Sequence, residues 1–135
     1  MKPRVPKALL AVLTCCLCTS AQVRYSVSLA DPERHLVRVE VVIPSGRASH
    51  ELQLPVWNAL YQIRDFVQYM NWIRAEDASG HALPLTQLNK SRWQVSGTDN
   101  GARIEYEMFS DNPAPYGMQL NSHHAFFNLA EILLY

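Results

Sequence analysis

The groups in this 135-residue chain that could do chemistry are five histidines, twelve carboxylates and no cysteine beyond Cys18. His123 and His124 are the obvious metal candidates, but neighbours on an extended strand point to opposite faces, so the two do not share one ion. There is no HExxH, the spacing that puts two histidines on one helix face with a glutamate base between them. His35, His50 and His81 are scattered without ligand spacing. The expected role of His124 is packing or hydrogen bonding beside Phe126 and Phe127. No GxSxG is present, and no serine has a visible His/Asp pairing. Glu105 and Glu107, two apart, could do acid/base work as a pair; on an alternating strand they read as its wet face. Arg64 and Asp65 read as a surface ion pair worth little, or as a partly buried pair that positions a neighbouring chain. Trp57, Tyr61, Trp72 and Trp93 could form a carbohydrate-type binding platform, although rings at such spacing more often fill a core. The residues alone thus assign no catalytic, cofactor-binding or metal-binding position.

The elements that would hold these residues are mostly strands. Arg24–Leu29 alternates, with Tyr25, Val27 and Leu29 on one face. Asp31-Pro32-Glu33 is a turn, and Leu36–Ile43 puts Val37, Val39, Val41 and Ile43 on one side. Pro44-Ser45-Gly46 breaks that strand. Glu51–Leu54 starts a third, which Pro55 ends or confines to an edge. A loop or single helical turn around Ile63–Val67 leads into a strand at Tyr69–Ala75. Asp77–Gly80 is a turn, and Leu83–Leu88 is a short strand. Arg92–Ser96 and Ala102–Phe109 flank Asp99-Asn100-Gly101, a strong hairpin signal. In the last strand Ile104, Tyr106 and Met108 oppose Arg103, Glu105 and Glu107. From Asp111 to Asn128 the chain reads as loop, and Leu129–Tyr135 as an apolar end without a cap. Short strands with turns every 8–12 residues give an all-β fold, an antiparallel β-sandwich with short irregular or helical connections.

The first 21 residues stand outside that fold. Lys2, Arg4 and Lys7 precede the apolar run Ala8–Cys18, and Thr19-Ser20-Ala21 supplies small residues for cleavage before Gln22. The run is about half the ~20 apolar residues that span a bilayer. It is therefore read as a signal peptide, with an uncleaved anchor as the main alternative, and the protein as exported to the periplasm or beyond. Cys15, Cys16 and Cys18 would leave with it, so the mature chain would have no disulfide and no thiolate. The remainder carries nine basic against twelve acidic residues, unclustered. That balance gives no electrostatic footprint for nucleic acid or an anionic membrane.

Four segments carry a family resemblance. ELQLPVWNALYQIRDF (51–66) is similar to an ELxLPxW…Y.IRDF pattern, and HHAFFNLAEILLY (123–135) to an HAFFN…LY pattern. Between them lie LNKSRWQVSG (88–97) and Pro115-Tyr116-Gly117. Together they resemble the N-terminal domain of the M61 family of zinc metallopeptidases, the glycyl-aminopeptidase-like enzymes, from Tyr25 to Tyr135. One departure stands out: Asn58-Ala59-Leu60-Tyr61 replaces the family's Pro-Gly-Ser/Thr-Tyr turn, removing a preset φ and a permissive glycine.

The resemblance implies an N-terminal β-sandwich domain (22–135) without its peptidase domain, one that packs against the zinc domain and shapes access for a peptide's amino end. It implies no cofactor and no hydrolysis by this chain alone, since the zinc ligands and base are absent. The implied partner is a zinc peptidase domain on another chain, with no nucleic acid and no membrane after signal cleavage. The family-motif residues are Trp57, Tyr61, Arg64, Asp65, Phe66 and His124. The expected interaction surface is the terminal run of Phe126, Phe127, Leu129, Ile132, Leu133 and Tyr135, because an apolar end must cover something. The alternative from a different class is a stand-alone exported module that binds a peptide, a glycan or a protein.

Overall fold

The structure is a computed structural model and describes residues 22–57, 63–114 and 117–135. The expected signal segment 1–21 lies outside the described residues. Among the described residues, nine strands and one short helix follow in order: β1 (Arg24–Asp31), β2 (Leu36–Ile43), β3 (Ser49–Gln53), β4 (Met70–Glu76), β5 (Leu85–Asn89), β6 (Arg92–Ser96), β7 (Ala102–Phe109), β8 (Gln119–Leu120), β9 (Ala125–Phe126) and α1 (Leu129–Ile132). One antiparallel sheet has the order β1-β2-β7-β4, a second the order β3-β6-β5, and β8-β9 is a small hairpin.

The first sheet is organised by the pairing of β2 with β7, both eight residues long and alternating. Val37 faces Met108, Val39 faces Tyr106 and Val41 faces Ile104, so both apolar sets fall on one side of the sheet. These six side chains are essentially inaccessible. Leu52 and Leu54 from the β3 segment and Trp93 and Val95 from β6 join them in one cluster, so the two sheets close on a single core as a sandwich. Trp93 is therefore core, not platform.

Three expectations are corrected. Asp99-Asn100-Gly101 does turn the chain, with Gly101 N–H donating to Thr98 O at 2.8 Å, but it makes no hairpin. β6 pairs with β3 and β5, whereas β7 pairs with β2 and β4. The turn is tied sideways: Gly97 and Thr98 both donate to Ala48 O, and Gly46 donates to Asp99 O, so the chain is carried from one sheet to the other. Gly101 has φ +87, and a Cβ there would lie 2.8 Å from Ile43 O. The crossing thus needs glycine for close approach as well as for its backbone angle. Second, residues 119–126 form the β8-β9 hairpin where loop was expected.

Third, residues 128–135 are held in place rather than left as a bare apolar run. Asn128 accepts the Ala130 amide and caps α1. Tyr135 and Gln53 exchange two backbone hydrogen bonds at 2.9 and 3.0 Å, adding the terminus to the edge of β3. Ile132 and Leu134 are fully buried.

Candidate functional site: a cleft between residues 64–69 and 112–118

The 51–66 segment is tied together on either side of residues 58–62. Pro55 ends β3, Val56 O then accepts the Arg64 amide at 2.7 Å, and Trp57 bridges to Ile63. Residues 58–62, including Tyr61 and the altered turn, lie outside the described residues. After Asp65 comes one 3-10 turn, Phe66–Tyr69, with Phe66 buried in the core as its anchor. Gln68 fastens the turn by donating its side-chain amide to Asp65 O at 2.8 Å.

Against this turn lies the 112–118 loop. Asn112 N–H donates to Met118 O and Gly117 N–H to Ala114 O, while Asn112 Oδ1 accepts the Ala114 amide. Asn112 Nδ2 reaches across to Tyr69 Oη at 3.1 Å. A Cβ on Gly117 would sit 2.2 Å from Asn112 O, so only glycine permits this closure.

A cleft of about 150 Å³ remains between the two segments, lined by Arg64, Asp65, Gln68, Tyr69, Asn112 and Glu131 among others. That is below the ~300–1,000 Å³ of a typical small-molecule pocket. Glu131, on α1, is 2 % exposed, a buried carboxylate that the sequence reading did not single out. Its neighbours in sequence are apolar, and only the packing of α1 makes it a lining residue.

Three of the four segments carrying the family resemblance contribute lining residues, Arg64 to Phe66, Gly117 and Glu131, and the fourth, 88–97, reaches the cleft through Lys90. Asp65 forms an ion pair with Lys90 of the β5–β6 turn, a partner that the sequence reading did not name. Leu54 N–H donates to Ser91 O at 2.9 Å, and Gln53 pairs with Tyr135. Pro115 and Tyr116 lie outside the described residues, but Gly117 lines the cleft.

The remaining candidates fall apart spatially. His124 is exposed, its Nε2 3.1 Å from Gln119 Oε1 and its backbone amide held by Asn121 Oδ1, so it ties the β8-β9 turn by hydrogen bonds. Of the expected terminal surface, Phe126, Leu129 and Tyr135 are more than half exposed. Phe127 and Leu133 pack partly against the core and Ile132 is buried in it, which corrects that surface to three residues. Glu105 and Glu107 are not equivalent wet-face residues. Glu105 pairs with Arg74, whose guanidinium also lies over Trp72 at 5.4 Å. Glu107 is 7 % exposed and accepts from Arg38 Nε and Asn71 Nδ2, each at 3.1 Å. Trp57 is exposed and Trp72 half-buried, so with Trp93 in the core the rings do not assemble into a platform among the described residues. Nor does any group of three His, Cys, Asp or Glu side chains gather in metal-binding geometry among those residues.

Residues 24–135 match the family described as the Peptidase M61 N-terminal domain. Among solved structures, an aminopeptidase N family protein from Idiomarina loihiensis is similar, with a TM-score of 0.76 and 28% identity over 84% of this chain. The match covers 19% of that larger chain. No curated protein matches the sequence.

Proposed function

Because the chain belongs to the Peptidase M61 N-terminal domain family, we propose that it serves a zinc peptidase domain as a non-catalytic module. It packs against that domain and shapes how a peptide's amino end reaches the metal. Catalysis belongs to the peptidase domain, and the 1–21 segment directs export to the periplasm or beyond. The observation that supports this reading is that the resemblance-bearing segments are tied to one another, Asp65 to Lys90, Leu54 to Ser91 and Gln53 to Tyr135, and that Asp65, Gly117 and Glu131 line one cleft. Exposed Phe126, Leu129 and Tyr135 supply apolar area for a protein partner.

Reconstitution tests it. The chain is added to a separately expressed M61-type zinc peptidase domain, and kcat/KM is measured for peptides of increasing length. The expected result is a changed length preference with unchanged zinc content. An identical length profile with and without the chain overturns the reading.

A further inference from the structure

We infer that β1 is a self-association edge, through which two copies of this chain pair antiparallel about Val27 and join their four-stranded sheets into one. This does not rest on the proposed function. β1 lies at the edge of the β1-β2-β7-β4 sheet, and among the described residues no strand pairs with its outer side. Edge strands present unpaired amides and carbonyls, and natural proteins guard them with charge, proline or bulges. The opposite edge, β4, is guarded in this way: it carries Arg74 and Glu76 and a register shift between Met70 and Trp72. β1 has no charge and no proline between Arg24 and Asp31; its register with β2 is regular from Arg24 to Ser28 and shifts only towards the end of the strand, between Ser28 and Asp31.

The apolar side of β1 is also unfinished. Tyr25 and Val27 lie opposite Val41 and Val39, which are fully buried, yet Val23, Tyr25, Val27 and Leu29 are 37–41% exposed. The core face of the sheet therefore runs past the edge of the sandwich. Tyr25 Oη donates to Leu134 O at 2.8 Å, which fixes the strand in place and lowers the ordering cost of pairing.

A second copy fits this edge better than an arbitrary strand because the sequence is self-complementary. With Val27 on the two-fold axis, Val27 faces its own copy, Tyr25 faces Leu29 and Ser26 faces Ser28. Like sides then meet on both faces of the joined sheet. The strand is charged only at its ends, positive at Arg24 and negative at Asp31. Antiparallel pairing brings opposite charges to each end, whereas parallel pairing would bring like charges together.

The test uses the full chain with Cys15→Ser, Cys16→Ser and Cys18→Ser, so that any introduced thiol is unique. Sedimentation over a broad concentration series is expected to show a monomer–dimer equilibrium. Val27→Lys sets two like charges on the axis and is expected to weaken association by about a hundredfold or more. Val27→Cys is expected to give a disulfide-linked dimer on mild oxidation, because directly opposed Cβ atoms lie ~4.5–5.5 Å apart. Thr86→Cys, on the edge strand β5 of the other sheet, is expected to give no disulfide-linked dimer. A monomer at every concentration overturns the inference, as does a dimer unaffected by Val27→Lys in a folded chain. Cross-linking through Thr86→Cys in place of Val27→Cys also overturns it. Should Val27→Lys fail to fold, Val27→Cys decides alone.

Discussion

Tyr106 does more than fill space. Its ring is fully buried, its hydroxyl donates to Ile132 O at 2.7 Å, and the same oxygen accepts the Leu134 amide at 3.1 Å. Burial pushes the phenol well above its ordinary value of 10.0, so the hydroxyl remains a donor across the working pH range. Tyr106→Phe would leave one buried carbonyl and one buried amide without that partner, and is expected to cost about 2–4 kcal/mol. The check is a lowered urea midpoint with an unchanged slope. Glu107 gives the pH dependence. Burial raises its carboxyl, but the hydrogen bonds from Asn71 and Arg38 and the Arg38 charge outweigh that and hold it below its ordinary value of 4.5. A depressed carboxyl stabilises fully above its unfolded value, and the contribution is lost as pH falls through the lower folded value. Glu107→Gln is expected to cost about 1–2 kcal/mol near neutrality, at the lower end because Arg38 is largely exposed. The difference between variant and parent should vanish in acid, and urea midpoints across pH measure it. In the sequence Glu105 and Glu107 look alike. Their difference comes from Asn71 on another strand, a partner that alternation along one strand does not reveal.

At the scale of elements, the strands were legible where one face is apolar over several residues: β2, β6 and β7 have the bounds that alternation predicts. The pairing of β6 and β7 was not. Asp99-Asn100-Gly101 is a turn by local chemistry, but which strands pair is decided by the eight-residue match of β7 with β2 and by ties from residues 46–48. The short β8-β9 hairpin was missed because two-residue strands have no period to read. Gly117→Ala belongs to this scale. With a Cβ 2.2 Å from a backbone oxygen, the 112–118 loop must move, at a cost of about 1–3 kcal/mol. The expected outcome is a lower thermal midpoint together with faster amide exchange at Asn112 and Met118. Unchanged exchange at both would mean that the closure does not depend on the glycine.

For the whole molecule, the end of the chain matters most. Sequence alone marks residues 129–135 as an apolar run seeking cover, and half of that holds. Ile132 and Leu134 go into the core, while Leu129 and Tyr135 stay largely outside. Periodicity could not separate them, because a four-residue helix followed by an extended edge has no single repeat. Deleting Ala130–Tyr135 removes two fully buried aliphatic side chains, at ~2–5 kcal/mol each on core truncation scales. It also removes the edge pairing with Gln53. Against a typical total of ~5–15 kcal/mol, that is expected to unfold the domain rather than merely bare a surface. Loss of the cooperative thermal transition would show it. The family-bearing segments were legible one by one; their ties to one another were not, because Asp65–Lys90 and Leu54–Ser91 are contacts between elements. The most direct measurement of the proposed role is affinity capture of the tagged chain from its own cell envelope, followed by assay of the eluate on an aminoacyl-anilide substrate. The expected result is aminopeptidase activity that co-elutes and is abolished by a zinc chelator. A folded chain that elutes without any chelator-sensitive activity would contradict it.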